Sequence, residues 1–222
     1  MKILAVADQE CRALGKHFDA DRWRDIDLVL ACGDLKPDYL AYLADRFNTR
    51  VLYVRGNHDR DFGEEPPGGC EDVHGRLVHH RGIRILGIEG SIWYNGAGIQ
   101  YRERQVALSA LARRYKLWRS GGIAIVVSHS PPRFCADAFQ ICESPVGDHA
   151  LCPHRDRPGA EWQNCPEASD RAHWGFKTFH NMIERYRPTY WIHGHTHAGY
   201  GMADRWKQVG DTAIGDAYEQ LV

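Results

Sequence analysis

The chain contains no apolar run near the ~20 residues a membrane-spanning helix needs. Its first apolar run, Ile3 to Ala7, stops at Asp8 and is too short for the core of a secretory signal, so the cytoplasm is the expected compartment. Charge of either sign is not in excess: 28 Lys and Arg stand against 29 Asp and Glu, a formal net charge of -1. Bulk attraction to nucleic acid or to an anionic membrane is therefore not expected, and only local basic stretches such as "RRYKLWR" keep a nucleic-acid substrate open. There is no internal repeat, low-complexity tract or linker. The seven cysteines are an odd number and no two form a C-x-x-C pair, so reduced thiols are expected rather than a disulfide framework.

What the chain does have is a series of short Ile-, Val- and Leu-rich runs, each ending in polar residues. They are "KILAVAD", "IDLVLACGD", "VLYVRGNHD", "IRILGIEGS", "IAIVVSHS" and "YWIHGHTH". Near-continuous apolar runs suit strands covered on both faces. Three helical stretches alternate with them. "LKPDYLAYLADRF" follows the second run. "YRERQVALSALARRYKLW" carries apolar residues at Val106, Leu108, Leu111, Ala112 and Tyr115. "GFKTFHNMIERY" stops before Pro188. The alternation implies an α/β fold, and 222 residues suit one domain, 1–222, better than two.

Asp8, Asp34, Asn57, His58, His129, His195 and His197 all fall at, or just past, the C-terminal ends of these runs. In α/β sheets that edge is where ligands bind. Carboxylate, carboxamide and imidazole groups converging there form a donor set for divalent metal ions. Each motif alone has an ordinary structural explanation: a helix cap, a turn or a satisfied buried histidine. "GNHD" and "GHTH" are harder to explain that way, and the ordered set harder still.

The ordered motifs "D-x-E", "GD", "GNHD", "SH" and "GHTH" resemble those of the calcineurin-like metallophosphoesterase superfamily, from Asp8 to His197. The resemblance implies a four-layer α-β-β-α sandwich with two central mixed sheets and a dinuclear metal site at the C-terminal strand ends. It implies that Asp34 bridges two ions. One ion would take Asp8 and His197 with whatever stands at position 10; the other would take Asn57, His129 and His195. His58, oriented by Asp59, would protonate the leaving group, and Arg55 is an additional candidate for contact with the phosphate. The implied activity is hydrolysis of a phosphate ester, with a small phosphodiester preferred, by a metal-bridging hydroxide. A nuclease and a non-catalytic scaffold are the alternatives. Mn²⁺ is the first expectation for the metal, with Fe²⁺, Mg²⁺ or Zn²⁺ as alternatives.

Position 10 departs from this pattern, which calls for histidine. Glu10 as a ligand would make the first site richer in oxygen and favour harder ions. It could instead swing away and leave Asp8 to hold that side, or accept a hydrogen bond behind the ligands; a lost site is the third option, and with every other ligand present a modified working centre is expected.

Three loops are expected to select the substrate. They are "RDFGEEPPGGCEDVHG", "SIWYNGAGIQY" with Trp93, Tyr94 and Asn95, and a long insertion over about 131–173. The last holds Cys135, Cys142, Cys152 and Cys165 with His149, His154 and His173, a set that invites zinc but lacks the paired spacing of a zinc knuckle. His17, His79, His80 and His180 are expected to have no function. The tail "WKQVGDTAIGDAYEQLV" reads as one or two closing strands.

Overall fold

The computed structural model describes residues 1–15, 17–60, 62, 64–136, 171–197 and 205–222. Most of the insertion at 131–173 therefore lies outside the described residues, with Cys142, Cys152, Cys165, His149 and His154; Cys135 and His173 lie within them.

Each expected apolar run contains a strand. β1 (Lys2–Val6), β2 (Ile26–Ala31), β3 (Arg50–Tyr53) and β4 (Cys70–Asp72) pair in that order, all parallel. A second sheet is built from β5 (Leu77–His80), β6 (Ile83–Ile88), β9 (Ile125–Ser128), β10 (Tyr190–His193), β11 (Trp206–Val209) and β12 (Thr212–Asp216), in the order β11-β12-β10-β9-β6-β5. Its hairpins β5-β6 and β11-β12 are antiparallel and its three central pairings parallel. One of the two expected mixed sheets is thus mixed. Among the described residues the other has only parallel ladders, with a single antiparallel bridge from Ala5 to Leu221 at its edge. The tail forms the two closing strands. β4 arises inside a segment whose composition predicts a loop, and a short pair, β7 (Ser91–Ile92) and β8 (Gln100–Tyr101), lies inside another. These runs are too short and too polar to announce themselves by periodicity.

Side-chain alternation builds the layers. In β2, Val29 and Ala31 face outward and join a cluster with Tyr39, Leu40 and Leu43 of α1 (Pro37–Phe47). Leu28 and Leu30 face inward and pack with Ile85, Ile125, Val127 and Ile192 of the second sheet. The other face of that sheet presents Leu86, Val126, Trp191 and Ile214 to Val106 and Leu117 of α2 (Glu103–Arg119) and to Phe179, Met182 and Ile183 of α3 (Lys177–Tyr186).

Local signals set the helix ends. Pro37 opens α1, and Asn48 closes it in the left-handed region, its N–H donating to the Ala44 carbonyl. The first amides of α3 have an acceptor from another helix: Lys177 and Thr178 donate their N–H groups to the Glu103 carboxylate at 3.1 and 2.7 Å. A carboxylate there also complements the helix dipole. Among the described residues no helix is long and apolar enough to cross a membrane.

Leu30 is fully buried between the sheets. Leu30→Ala should lower the unfolding free energy by about 2–5 kcal/mol, the cost of lost transfer plus a residual cavity. Urea denaturation should show a lower midpoint with the slope unchanged.

Candidate metal centre

The strand ends bring their polar residues together by abandoning extended backbone at once. Asp8, Asp34, His195 and His197 all have positive φ, at 64°, 56°, 72° and 46°. Non-glycine residues in that region are uncommon and cost about 1–2 kcal/mol each, a pattern associated with functional sites. Three glycines permit the approach. A Cβ on Gly33 would lie 2.7 Å from His129 Nδ1, one on Gly56 2.0 Å from Asp34 Oδ1, and one on Gly194 2.7 Å from Asp8 Oδ2.

Asp34 sits at the centre. Its Oδ1 accepts the His58 N–H at 2.8 Å, and its Oδ2 lies 3.4 Å from His129 Nε2 and 4.0 Å from His58 Nε2. Asp59 Oδ2 accepts the N–H groups of both Asp34 and Gly56, each at 2.7 Å. Asp59 therefore acts on the two loop backbones, and the His58 side chain, 72% exposed, projects from them. Burial of Asp59, with the neighbouring charge of Asp34, pushes its carboxyl up to about 6.

Two buried imidazoles are turned toward the centre by carbonyls. His129 Nδ1 donates to the Cys32 carbonyl at 2.8 Å, leaving Nε2 beside Asp34 and 3.0 Å from Asn57 Oδ1. His195 Nε2 donates to the Ala172 carbonyl at 2.6 Å, which leaves Nδ1 free. A carbonyl only accepts, so it fixes which ring nitrogen keeps its lone pair. Asp34, His129 and His195 each offer a ligating atom within 4.8 Å of the other two. Asn57 is buried beside them, and its Nδ2 donates to Tyr94 Oη at 3.3 Å.

Asp8 holds the other side. Its carboxylate accepts the His195 N–H at 3.1 and 2.9 Å and lies 3.6 Å from His197 Nε2. The His173 ring stands between the two sides, with its centroid 5.1 Å from His195 and 5.3 Å from His197.

Two predicted residues make other contacts. Glu10 is half exposed, and its carboxylate lies 3.8 Å from Lys36 Nζ. Arg55 forms a two-point pair with Glu89, Nε to Oε2 at 2.8 Å and Nη2 to Oε1 at 3.2 Å. Glu89 is buried, and Tyr101 Oη donates to it at 2.5 Å. Of the loop aromatics, Tyr94 reaches the site through Asn57, while Trp93 is half exposed beneath the Arg102 guanidinium. Asn95 accepts bonds from Ala97 and Gln100 within its own loop. The roles of the Cys32 and Ala172 carbonyls, Tyr94 and Glu89 go beyond the sequence expectation. Backbone carbonyls carry no residue-type signal, and the Glu89 contact spans 34 residues of chain.

The donor set fits divalent cations: mixed oxygen and nitrogen ligands, buried, with imidazole lone pairs aimed inward and orienting partners behind them. The electrostatics of the side chains alone point the same way. Burial pulls the His129 imidazole down, but the Asp34 charge overrides it and raises the group to about 9. Burial pushes Asp34 up, but His129 and the His58 N–H hold it well below the usual carboxylate range. Burial, reinforced by the nearby charge of His129, keeps His195 far below its ordinary value. His197 is raised by its contact with Asp8.

The model of the calcineurin-like phosphoesterase family matches residues 1–199. Among solved structures, TT1561 of Thermus thermophilus is similar at 15% identity, with 98% of this chain and 88% of that chain covered and a TM-score of 0.59. The phosphopantetheinyl hydrolase PptH from Mycobacterium tuberculosis is similar at 14% identity, with the same coverages, 98% and 88%, and a TM-score of 0.55. At these identities the likeness is one of fold. No curated protein matches the chain.

The raised His129 yields a pH dependence. A histidine whose folded value lies above its unfolded value adds stability that is complete below about 6.5 and is lost as the pH rises through the folded value. His197 has the same sign. Protein treated with a chelator should therefore lose thermal stability between about pH 6.5 and about 9. Asp34→Asn, which removes the charge facing His129, should flatten that decline in a melting series.

Proposed function

The chain belongs to the calcineurin-like phosphoesterase family, hydrolases acting on phosphoric ester bonds, and from that premise we propose that it cleaves a small phosphodiester at a two-metal centre. The observation that carries the proposal is the convergence of Asp34, His129 and His195 within 4.8 Å, with the exposed His58 ring 4.0 Å from Asp34. The preference for a small diester rests on the near-zero net charge, which offers no bulk attraction to a polyanionic substrate.

In this reading Asn57, His129 and His195 would hold one ion, Asp8 and His197 the other, and Asp34 would contribute to both. With three oxygen donors and three imidazoles the set suits Mn²⁺, and Fe²⁺, Mg²⁺ or Zn²⁺ are compatible with it. Ions bound there would neutralise phosphate oxygens and acidify a water near neutral pH. The rest falls to the chain. Asp59 fixes the Asp34 and Gly56 loops, so that the bridging carboxylate and the His58 backbone move as one body. The Cys32 and Ala172 carbonyls accept from His129 Nδ1 and His195 Nε2, so the opposite nitrogens are the ones that would bind an ion, His129 Nε2 on losing the proton that Asp34 favours. His58, tethered at its N–H but with a free ring, donates a proton to the leaving oxygen as the bond from phosphorus to that oxygen breaks, a role typically worth about 10²–10⁴-fold. Arg55, held by Glu89, braces the end of β3 against β6 rather than gripping phosphate. We assign Glu10 to the surface ion pair with Lys36, outside the ligand set, consistent with its half exposure. The thiols of Cys11, Cys32 and Cys70 are free, which suits the cytoplasm. The whole of 1–222 acts as one domain.

Hydrolysis of bis-p-nitrophenyl phosphate and p-nitrophenyl phosphate with Mn²⁺ tests the proposal. Turnover should require metal and favour the diester. His58→Ala should lower kcat by about 10²–10⁴-fold while metal content is kept. Asp34→Asn should lose both metal and activity. The absence of metal-dependent turnover, or rates unchanged in both variants, would sink the enzymatic reading.

Glu10→Ala separates the two views of position 10. As a surface pair it should change activity and Mn²⁺ affinity by less than about threefold, in line with the small worth of exposed ion pairs. A loss in metal affinity of about 10- to 100-fold, the scale seen when groups supporting a metal site are removed, would return Glu10 to the centre.

A further inference from the structure

Helix α2 has two apolar faces, and among the described residues only one is packed. Val106 and Leu117 are buried against the second sheet. Leu108, Leu111, Tyr115 and Trp118 are 65%, 60%, 66% and 74% exposed. Their spacings of three, four and three residues place them in one stripe along the helix, the pattern of a helix–helix seam. Leu111, Tyr115 and Trp118 also line a surface groove with Tyr186 at the end of α3. Single exposed apolar residues are ordinary; four large ones in register are not.

We propose that this stripe is the interface of a homodimer in which α2 packs antiparallel against α2 of a second copy about a two-fold axis. Three considerations select a second copy. The first is size. Aromatic side chains carry about 150–250 Å² each, so the stripe exposes on the order of 500 Å² and its pairing buries on the order of 1,000 Å². Arginine stems and Tyr186 at the margin bring this to the roughly 1,200 Å² of a specific interface. The second is shape. With the axis near Arg113, Leu108 meets Trp118 of the other copy and Leu111 meets Tyr115. Every layer then pairs one leucine with one aromatic, as a self-complementary two-fold contact requires. The third is charge. The exposed face carries Arg114 and Arg119. A parallel pairing would set both arginines beside their own copies. The antiparallel pairing parts Arg119 from its copy and sets it near Gln105; Arg114, next to the axis, stays near its own copy, with its stem along the margin of the seam. It also opposes the two helix dipoles.

Sedimentation velocity from about 1 to 100 µM tests this, a range that resolves micromolar association. The wild-type chain should move to twice its monomer mass. Leu111→Glu and Trp118→Lys should each raise the dissociation constant by about 30-fold or more, as loss of a central contact does. The melting temperature at low concentration and the phosphoesterase rate should not change, because these side chains lie on the surface away from the metal centre. The double variant Leu108→Glu/Trp118→Lys tests the register: in the antiparallel pairing the two new charges meet, and association should recover relative to either single change. A wild-type chain that stays monomeric throughout the range would overturn the proposal. So would a dimer indifferent to all of these changes, or a double variant no better than the singles. A monomer that sediments with vesicles of anionic phospholipid, and loses that binding in Trp118→Lys, would assign the face to a lipid surface and overturn it as well.

Discussion

One carboxylate oxygen fastens the site together. Asp59 Oδ2 takes the backbone N–H of Asp34 and of Gly56, and so joins the loops that follow two neighbouring parallel strands. Asp34 then returns the tie by accepting the His58 N–H. The consequence is geometric. Asp34 must leave β2 with positive φ to reach that position, and Gly56 must lack a side chain to let it in. Buried amides without acceptors are costly, so the closed circuit holds a strained backbone that local propensity would not choose. The same carboxylate is raised to about 6 by burial and by Asp34. The protein thus keeps a poorly solvated acid in place because its hydrogen bonds are structural.

The parallel pairing of β1, β2 and β3, and of β6, β9 and β10, puts Asp8, Asp34, Asn57, His129 and the "GHTH" loop at one edge, as the sequence leads one to expect. That much is legible because buried parallel strands are apolar runs with an abrupt end, and the polar residue at the end is conspicuous. What the motifs cannot carry is direction within the site. Which ring nitrogen of His129 and of His195 faces the site is set by the carbonyls of Cys32 and Ala172, and a carbonyl looks the same behind every residue. Adjacency in sequence makes Asp59 the expected partner of the His58 ring. Its Oδ2 serves the backbone instead, taking the amides of residues 34 and 56 at 2.7 Å each.

Glu10 and Arg55 show the limit of reading charge by position. Both flank motif residues, and a metal or a phosphate is an obvious destination for each. Arg55 finds a buried carboxylate on the neighbouring sheet, and a two-point pair with Glu89 in a low-dielectric setting outweighs partial solvation. Glu10 lies past the strand end at half exposure, where Lys36 is at hand. On the proposed reading the departure from histidine at position 10 is a change on the rim of the centre, and Asp34, His129 and His195 converge without it.

Helix α2 makes the complementary point about apolar residues. Its periodicity is helical on two sides, and pattern alone cannot say which side meets the sheet. The face with more and larger apolar residues would be chosen for the core on hydrophobicity, yet Val106 and Leu117 are the ones buried. Position decides it. Glu103 at the start of α2 is fixed by donors from Lys177 and Thr178, and Arg113 by the carbonyl of Gly75. These polar contacts set the rotation of the helix about its axis, and the leucines and aromatics are left outward as a consequence. A helix oriented by its polar contacts can carry a large exposed stripe without loss of fold stability, and such a stripe is free to be used between molecules rather than within one.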